Sequence, residues 1–177
     1  LFAKPHFRTM SPGDRLVVTG PLGGPLAALT AWLAGGTPSP EARARFVRPA
    51  PRHAAARFLE ANRARAMIDI SDGLTSDLGH LLVASGVGAR VDVERIPVLP
   101  VARAAAEAAG EAAWRFAARS GEEYELLAAI PEDVSDDDLA RAPVPLMVIG
   151  TIEAEPGLRA TERGEAVTLP AGYDHFR

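Results

Sequence analysis

The sequence predicts an α/β (α+β) domain in which a mixed β-sheet is layered with helices. Three observations lead there. Segments with helical and strand-like patterning are interspersed along the chain rather than segregated. Leu74, Leu78, Leu81 and Leu82 fall at i, i+4, i+7 and i+8, a single apolar stripe that marks a helix packed on something flat. Near the end, Glu162-Arg163-Gly164-Glu165 separates two alternating stretches, so at least one pair of strands is an antiparallel hairpin.

The elements follow in order. Pro12-Gly13-Asp14 is a turn signal, and Arg15 to Thr19 is a short apolar strand. Gly20, Gly23 and Gly24 form a loop, and Pro25 is suited to the first turn of a helix over about Leu26 to Ala34, stopped by Gly35-Gly36. Thr37 to Pro51 is proline-rich and interrupted. His53 to Arg65 has helical periodicity, with Ala56, Phe58 and Leu59 as candidate core contacts. Ala66 to Ile70 is a strand, Leu74 to Ala84 the striped helix, and Gly86 its stop. Ala89 to Val93 alternates as a strand with one buried face. Val101 to Ala109 is an alanine-rich helix, Tyr124 to Ile130 an apolar strand, and Leu146 to Ile152 another. Ser135 caps a short helix to Arg141 with three acids in its first turn. The hairpin over Leu158 to Leu169 completes the set.

Composition narrows the functional classes. A chain of 177 residues, 47% hydrophobic, is long enough for one domain with a core. We read residues 1–177 as a single domain without internal repeats. No apolar run reaches the roughly 18 residues of a membrane span, so no membrane role is expected. The 19 basic residues are scattered, which argues against nucleic acid as a partner. Cysteine is absent, which excludes disulfides and thiolate metal sites and fits a cytoplasmic protein.

Two acidic segments carry the chemistry. In Met67-Ile68-Asp69-Ile70-Ser71-Asp72-Gly73-Leu74, a strand ends and a helix begins. Asp69 and Asp72 offer hard carboxylate oxygens suited to magnesium, and the free N–H groups opening the helix suit phosphate oxygens. Ser71 or Asp72 would equally serve as a simple N-cap, and Asp77 as a solvated first-turn acid; the local pattern leaves both readings open. In Ser120-Gly121-Glu122-Glu123-Tyr124-Glu125-Leu126-Leu127, alternation places Glu123 and Glu125 opposite Glu122 and Tyr124. Taken alone, these acids read as an exposed strand end paired with Arg115 or Arg119.

Together, the two segments resemble thiamine-monophosphate kinases. Ile68 to Leu74 followed by Asp77-Leu78 is similar to that family's signature, and Gly121-Glu122-Glu123-Tyr124-Glu125-Leu126 to its Gly-Glu-Asp-Tyr-Glu-Leu motif. Pro12-Gly13-Asp14 with Val18-Thr19-Gly20, Arg48-Pro49 with Pro51-Arg52, and the ending Gly172-Tyr173-Asp174-His175-Phe176 match as well. The resemblance runs from about Arg8 to Phe176 and covers only the family's C-terminal domain. Its superfamily of two-domain ATP-dependent enzymes includes aminoimidazole ribonucleotide synthetase, selenophosphate synthetase and a hydrogenase maturation protein. The absent N-terminal domain would account for a chain that opens on Leu1, and leads us to expect a piece of a longer enzyme, inactive alone.

The resemblance implies phosphoryl transfer from ATP to thiamine monophosphate, giving thiamine diphosphate, with Mg2+ offsetting the repulsion between two anionic reactants. By carry-over, Asp69 and Asp72 bind the metal, and Arg8 and Ser71 contact ATP. Glu122 binds the cationic thiamine moiety and Tyr173 contacts the substrate. No side chain is assigned as a covalent or acid–base catalyst. Read locally, Arg8 is a surface arginine and Tyr173 a tail anchor. Asp174 and His175 are expected to fix the tail, His80 to be structural or solvated, and Asp136 to Asp138 to form a solvated cap. The other partners implied are the enzyme's own N-terminal domain and a possible homodimer. The chain also departs from the family. Gly23-Gly24-Pro25-Leu26-Ala27-Ala28-Leu29 stands where Gly-x-Ser-Ala-x-Gly-Leu is usual, which weakens a phosphate role for that loop, and Glu123 replaces the usual Asp. The alternatives are another ATP-dependent member of the superfamily and a non-catalytic domain that binds a phosphorylated ligand.

Overall fold

The computed structural model describes residues 9–171. Seven strands form one mixed sheet: β1 Arg15–Thr19, β2 Ala66–Asp69, β3 Gly88–Asp92, β4 Leu126–Ile130, β5 Leu146–Glu153, β6 Gly157–Glu162 and β7 Glu165–Val167. Their order is β2-β4-β1-β5-β3-β6-β7. Every neighbouring pair is antiparallel except β3 with β6. The helices are α1 Gly24–Leu33, α2 Pro40–Val47, α3 His53–Ala61, α4 Leu74–Ser85, α5 Pro100–Ala108, α6 Ala113–Ala118 and α7 Asp136–Leu139. The mixed, helix-layered sheet is the expected fold.

Alternation along the strands divides the core. Leu16 and Val18 of β1 and Leu127 and Ala129 of β4 face the Leu74, Leu78, Leu81 and Leu82 stripe of α4. Val17, Ala128 and Ile130 face the other way, toward Leu59 of α3 and Leu139 of α7. In β5 the parity changes. Leu16 pairs with Gly150 and Val17 with Val148, leaving Ile149 as an extra residue. This bulge puts Ile149 and Ile152, three apart, into the same core as α4.

Local chemistry sets the ends of these elements. α4 stops where Gly86 takes φ 68° and its N–H meets the carbonyls of Leu82 and Val83. Ser135 and Asp138 form a reciprocal capping box on α7. The final hairpin turns through Arg163 (φ 52°) and Gly164 (φ 84°), the twin positive angles of a two-residue turn that matches strand twist.

The interrupted, proline-rich stretch Thr37 to Pro51 contains α2: Ser39 accepts from the Ala42 N–H and Pro40 occupies the first turn, a compact start that needs no long apolar pattern. A further short helix, α6, fills the alanine-rich segment before Ser120. In α3, Ala55 rather than Ala56 joins Leu59 in the core.

Candidate functional site

Loop 70–73, between β2 and α4, is docked backbone to backbone against segment 120–125. The Ile70 N–H donates to the Glu125 carbonyl at 2.8 Å. The Ile70 carbonyl accepts from Glu123 N at 3.1 Å and Tyr124 N at 2.9 Å, and the Ser71 carbonyl accepts from Glu122 N at 2.8 Å. Gly121 is required by this approach, since a Cβ there would lie 2.6 Å from the Ser71 carbonyl oxygen. Glu122 and Tyr124 both hold positive φ, 58° and 52°. Segment 122–125 is therefore kinked, and β4 begins at Leu126 instead of Tyr124. The expected division of side chains survives the kink. Glu122 and Tyr124 are exposed, whereas Glu123 and Glu125 are buried.

Buried acids hold both pieces. Asp77, on the first turn of α4, is only 2% exposed, and its Oδ2 accepts from the N–H groups of Ser71 (2.9 Å) and Asp72 (3.1 Å). It is not the solvated acid its sequence position suggested. Burial pushes its carboxyl above the usual range, against the pull of those two hydrogen bonds. Glu125 sits under the site, gripped by Arg45 of α2, by Arg52 at the start of α3, and by the Thr19 hydroxyl at 2.6 Å. Burial opposes its charge, but the bonds from Arg52, Thr19 and Arg45 win and hold its carboxyl below the usual range.

The expected partners of these acids are corrected accordingly. Arg119 pairs with Glu111 at 2.8 Å, and Arg115 donates to the Thr168 carbonyl at 2.9 Å. Among the described residues neither is ion-paired with Glu122, Glu123 or Glu125, although Arg119 lines the same cleft as Glu122.

Glu123 has a different environment. One oxygen accepts from the Gly23 N–H, while its buried Oε2 has no partner. Desolvation raises its carboxyl to about 7. Ser120 accepts from the Leu26 N–H at 3.3 Å. Two N–H groups at the start of α1 are thus already satisfied from segment 120–125, in keeping with the weakened phosphate role of this glycine loop.

The expected site residues fall as follows. Ser71, Asp72 and Glu122 line one cleft of about 620 Å3 together with Pro25, Leu29, Phe46 and Arg119. Asp69 stands exposed at the end of β2. The charges of both Asp69 and Asp72 bear on the Tyr124 phenol, but the chief effect there is the bond from its OH to Glu122 at 2.9 Å, which raises its ionisation above the ordinary range. Arg8 and Tyr173, like Asp174 and His175, lie outside the described residues; Ala171, two residues before Tyr173, lines the cleft.

As metal donors, Asp69 and Asp72 offer oxygen only, the chemistry that magnesium takes. Asp72 also lies with Asp77 and His80, one ligand atom of each within 4.8 Å of the others. Asp69 is not in that group. A larger open groove of about 750 Å3 elsewhere has Arg15 and Asp136 among its lining, but these two are ion-paired to each other.

The model of the family described as AIR synthase related protein, C-terminal domain, matches residues 11–163. The chain belongs to the AIR synthase-related C-terminal domain family. Among relatives of this AIR synthase-related domain, the thiamine-monophosphate kinase of Escherichia coli strain K12 is 38% identical over 175 residues, spanning 93% of this chain and 53% of the relative. That of Halobacterium salinarum is 41% identical over 143 residues, spanning 81% and 47%. A solved structure of AaThiL complexed with AMPPCP and TMP superposes with a TM-score of 0.80 at 28% identity, covering 96% of this chain and 53% of that one. The domain therefore spans about half the length of the curated relatives it matches.

Three contributors in the AIR synthase-related domain were not foreseen from sequence. Asp77 organises the loop, Arg45 clamps Glu125, and Phe46 lines the cleft. For the last two the usable signal was Ser39-Pro40-Glu41, a cap, a first-turn proline and a first-turn acid that announce α2.

Proposed function

We propose that this chain is the C-terminal domain of an enzyme that uses ATP and Mg2+ to phosphorylate thiamine monophosphate to thiamine diphosphate. The observation that carries the proposal is the docking of loop 70–73 on segment 120–125. It brings Ser71, Asp72 and Glu122 onto one cleft in a chain 38% identical to a thiamine-monophosphate kinase.

Each residue has a role in this reading. Asp69 and Asp72 would hold magnesium, which when bound neutralises phosphate charge during transfer. Ser71 and Arg8 contact ATP. Glu122 offers a carboxylate to the cationic thiamine moiety, with Tyr124 fixing its orientation. Tyr173 contacts the same substrate. The N-terminal domain of the same enzyme supplies the rest of the ATP and metal site, in the cytoplasm.

The test is a coupled assay of the complete protein with ATP, Mg2+ and thiamine monophosphate, following thiamine diphosphate by chromatography. Formation of thiamine diphosphate is expected from the complete protein, and negligible turnover from residues 1–177 alone. No product from the complete protein would overturn the reading. The departure at Gly23 to Leu29 favours, as second choice, an ATP-dependent relative with another phosphorylated substrate. That choice predicts ADP release only with a substrate other than thiamine monophosphate.

A further inference from the structure

The cleft lining is chemically mixed. Asp72 and Glu122 bring carboxylates, Leu29 of α1 and Phe46 of α2 bring apolar surface, and Arg119 brings a guanidinium that is paired with Glu111. Leu29 is 39% exposed and Phe46 37%, an unusual placing for large apolar side chains next to an acidic loop. Phe46 is braced from behind by Trp32, edge to face, with ring centroids 5.3 Å apart.

The apolar surface is also fixed in position. Arg45, beside Phe46 on α2, is ion-paired to buried Glu125, three residues along from Glu122. One buried acid thus ties the helix bearing Phe46 to the segment bearing Glu122. α1 and α2 are in close register too, since a Cβ at Gly24 would lie 2.8 Å from Arg45 Cβ.

We propose that Leu29 and Phe46 are specificity-determining residues, forming the surface on which the flat heteroaromatic part of a cationic phosphate monoester packs, in the same cleft as the Glu122 carboxylate. The inference rests on the kinase reading above. The occupant is argued from complementarity: with Arg119 offset by Glu111, the two acids of the lining select positive charge, and the Phe46 ring accepts a flat cation. A cleft of about 620 Å3 suits a ligand of that size. The adenine of ATP is flat too but brings no cation to Glu122, so only the cationic ester gains from the apolar surface and the carboxylate together.

The experiment uses the complete enzyme and steady-state kinetics with each substrate varied in turn. Phe46→Ala and Leu29→Ala are each expected to raise KM for thiamine monophosphate about tenfold, the scale of losing part of one buried apolar side chain. kcat and KM for ATP stay within about twofold, and Phe46→Tyr, which keeps the ring, restores KM. Both positions are exposed enough for the variants to fold, and thermal melts with unchanged midpoints check this. An active wild type whose Phe46→Ala and Leu29→Ala variants keep the wild-type KM for thiamine monophosphate overturns the inference and leaves the kinase reading standing. So does a change confined to sedimentation behaviour, which would make the patch a contact between protein chains. A folded wild type that turns over no thiamine monophosphate overturns the kinase reading first.

Discussion

Asp77 and Ser71 are joined by a 2.9 Å hydrogen bond from the Ser71 N–H to Asp77 Oδ2, and the Asp72 N–H reaches the same oxygen at 3.1 Å. The acid lies one turn inside α4, so the helix holds its own preceding loop. Asp77→Ala removes the acceptor and leaves two N–H groups in a half-buried loop. We expect a loss of about 1–3 kcal/mol, read as a lower urea midpoint at unchanged slope. An unchanged midpoint would show that the loop is held by segment 120–125 alone.

Glu123 gives stability a pH dependence of definite sign. Its carboxyl ionises near 4.5 when free and at about 7 in the fold. A raised carboxyl contributes stability that is fully present below about pH 4.5 and lost as pH rises through about 7. The difference is worth at most about 3 kcal/mol. Glu123→Gln mimics the protonated form, so the variant should gain on the wild type between pH 5 and pH 8. Parallel pH–stability curves for the two proteins would contradict this. Glu125 has the opposite sign: its contribution is present above the ordinary glutamate range and is lost as acid drives pH through its depressed value.

Asp72→Asn, made in the complete protein, should raise the magnesium concentration needed for half-maximal activity by about tenfold or more while the thermal midpoint stays put. The variant keeps the shape of the loop and removes a charge. Full activity at limiting magnesium would assign Asp72 to structure.

Glu122→Gln should weaken thiamine monophosphate more than ATP, because only the former brings an organic cation to the carboxylate. Tyr124→Phe removes the 2.9 Å bond that orients Glu122 without removing its charge. The same preference is expected at smaller amplitude, about two- to fivefold in KM, the scale of one exposed hydrogen bond. Equal effects on both substrates would point to a shared structural cause.

Much of the domain was legible in the chain. The α4 stripe, the Gly86 stop, the turn at Arg163-Gly164 and the Ser135 cap are local chemistry, and each depends on residues within a few positions of one another. The acidic loop at Asp69 to Gly73 and the in–out split of Glu122 to Glu125 were readable for the same reason. α2 was hidden because prolines on both sides mask a short helix whose start signal is only three residues long. The roles of Asp77 and Glu125 were hidden because their partners are set by packing. Arg45 and Arg52 lie 80 and 73 residues from Glu125.

The sequence by itself determined the layered mixed sheet, the position of the acidic strand-to-helix loop and the family resemblance, since periodicity, caps and short motifs are properties of neighbours along the chain. Only the tertiary structure decided that β3 runs parallel to β6, that loop 70–73 docks on segment 120–125, and that Leu29 and Phe46 share a cleft with Glu122. Those relations depend on which distant backbone groups satisfy one another's hydrogen bonds and on which buried charge finds which arginine. Such pairings carry no local signature, because the free energy that selects them is realised only when the whole core closes.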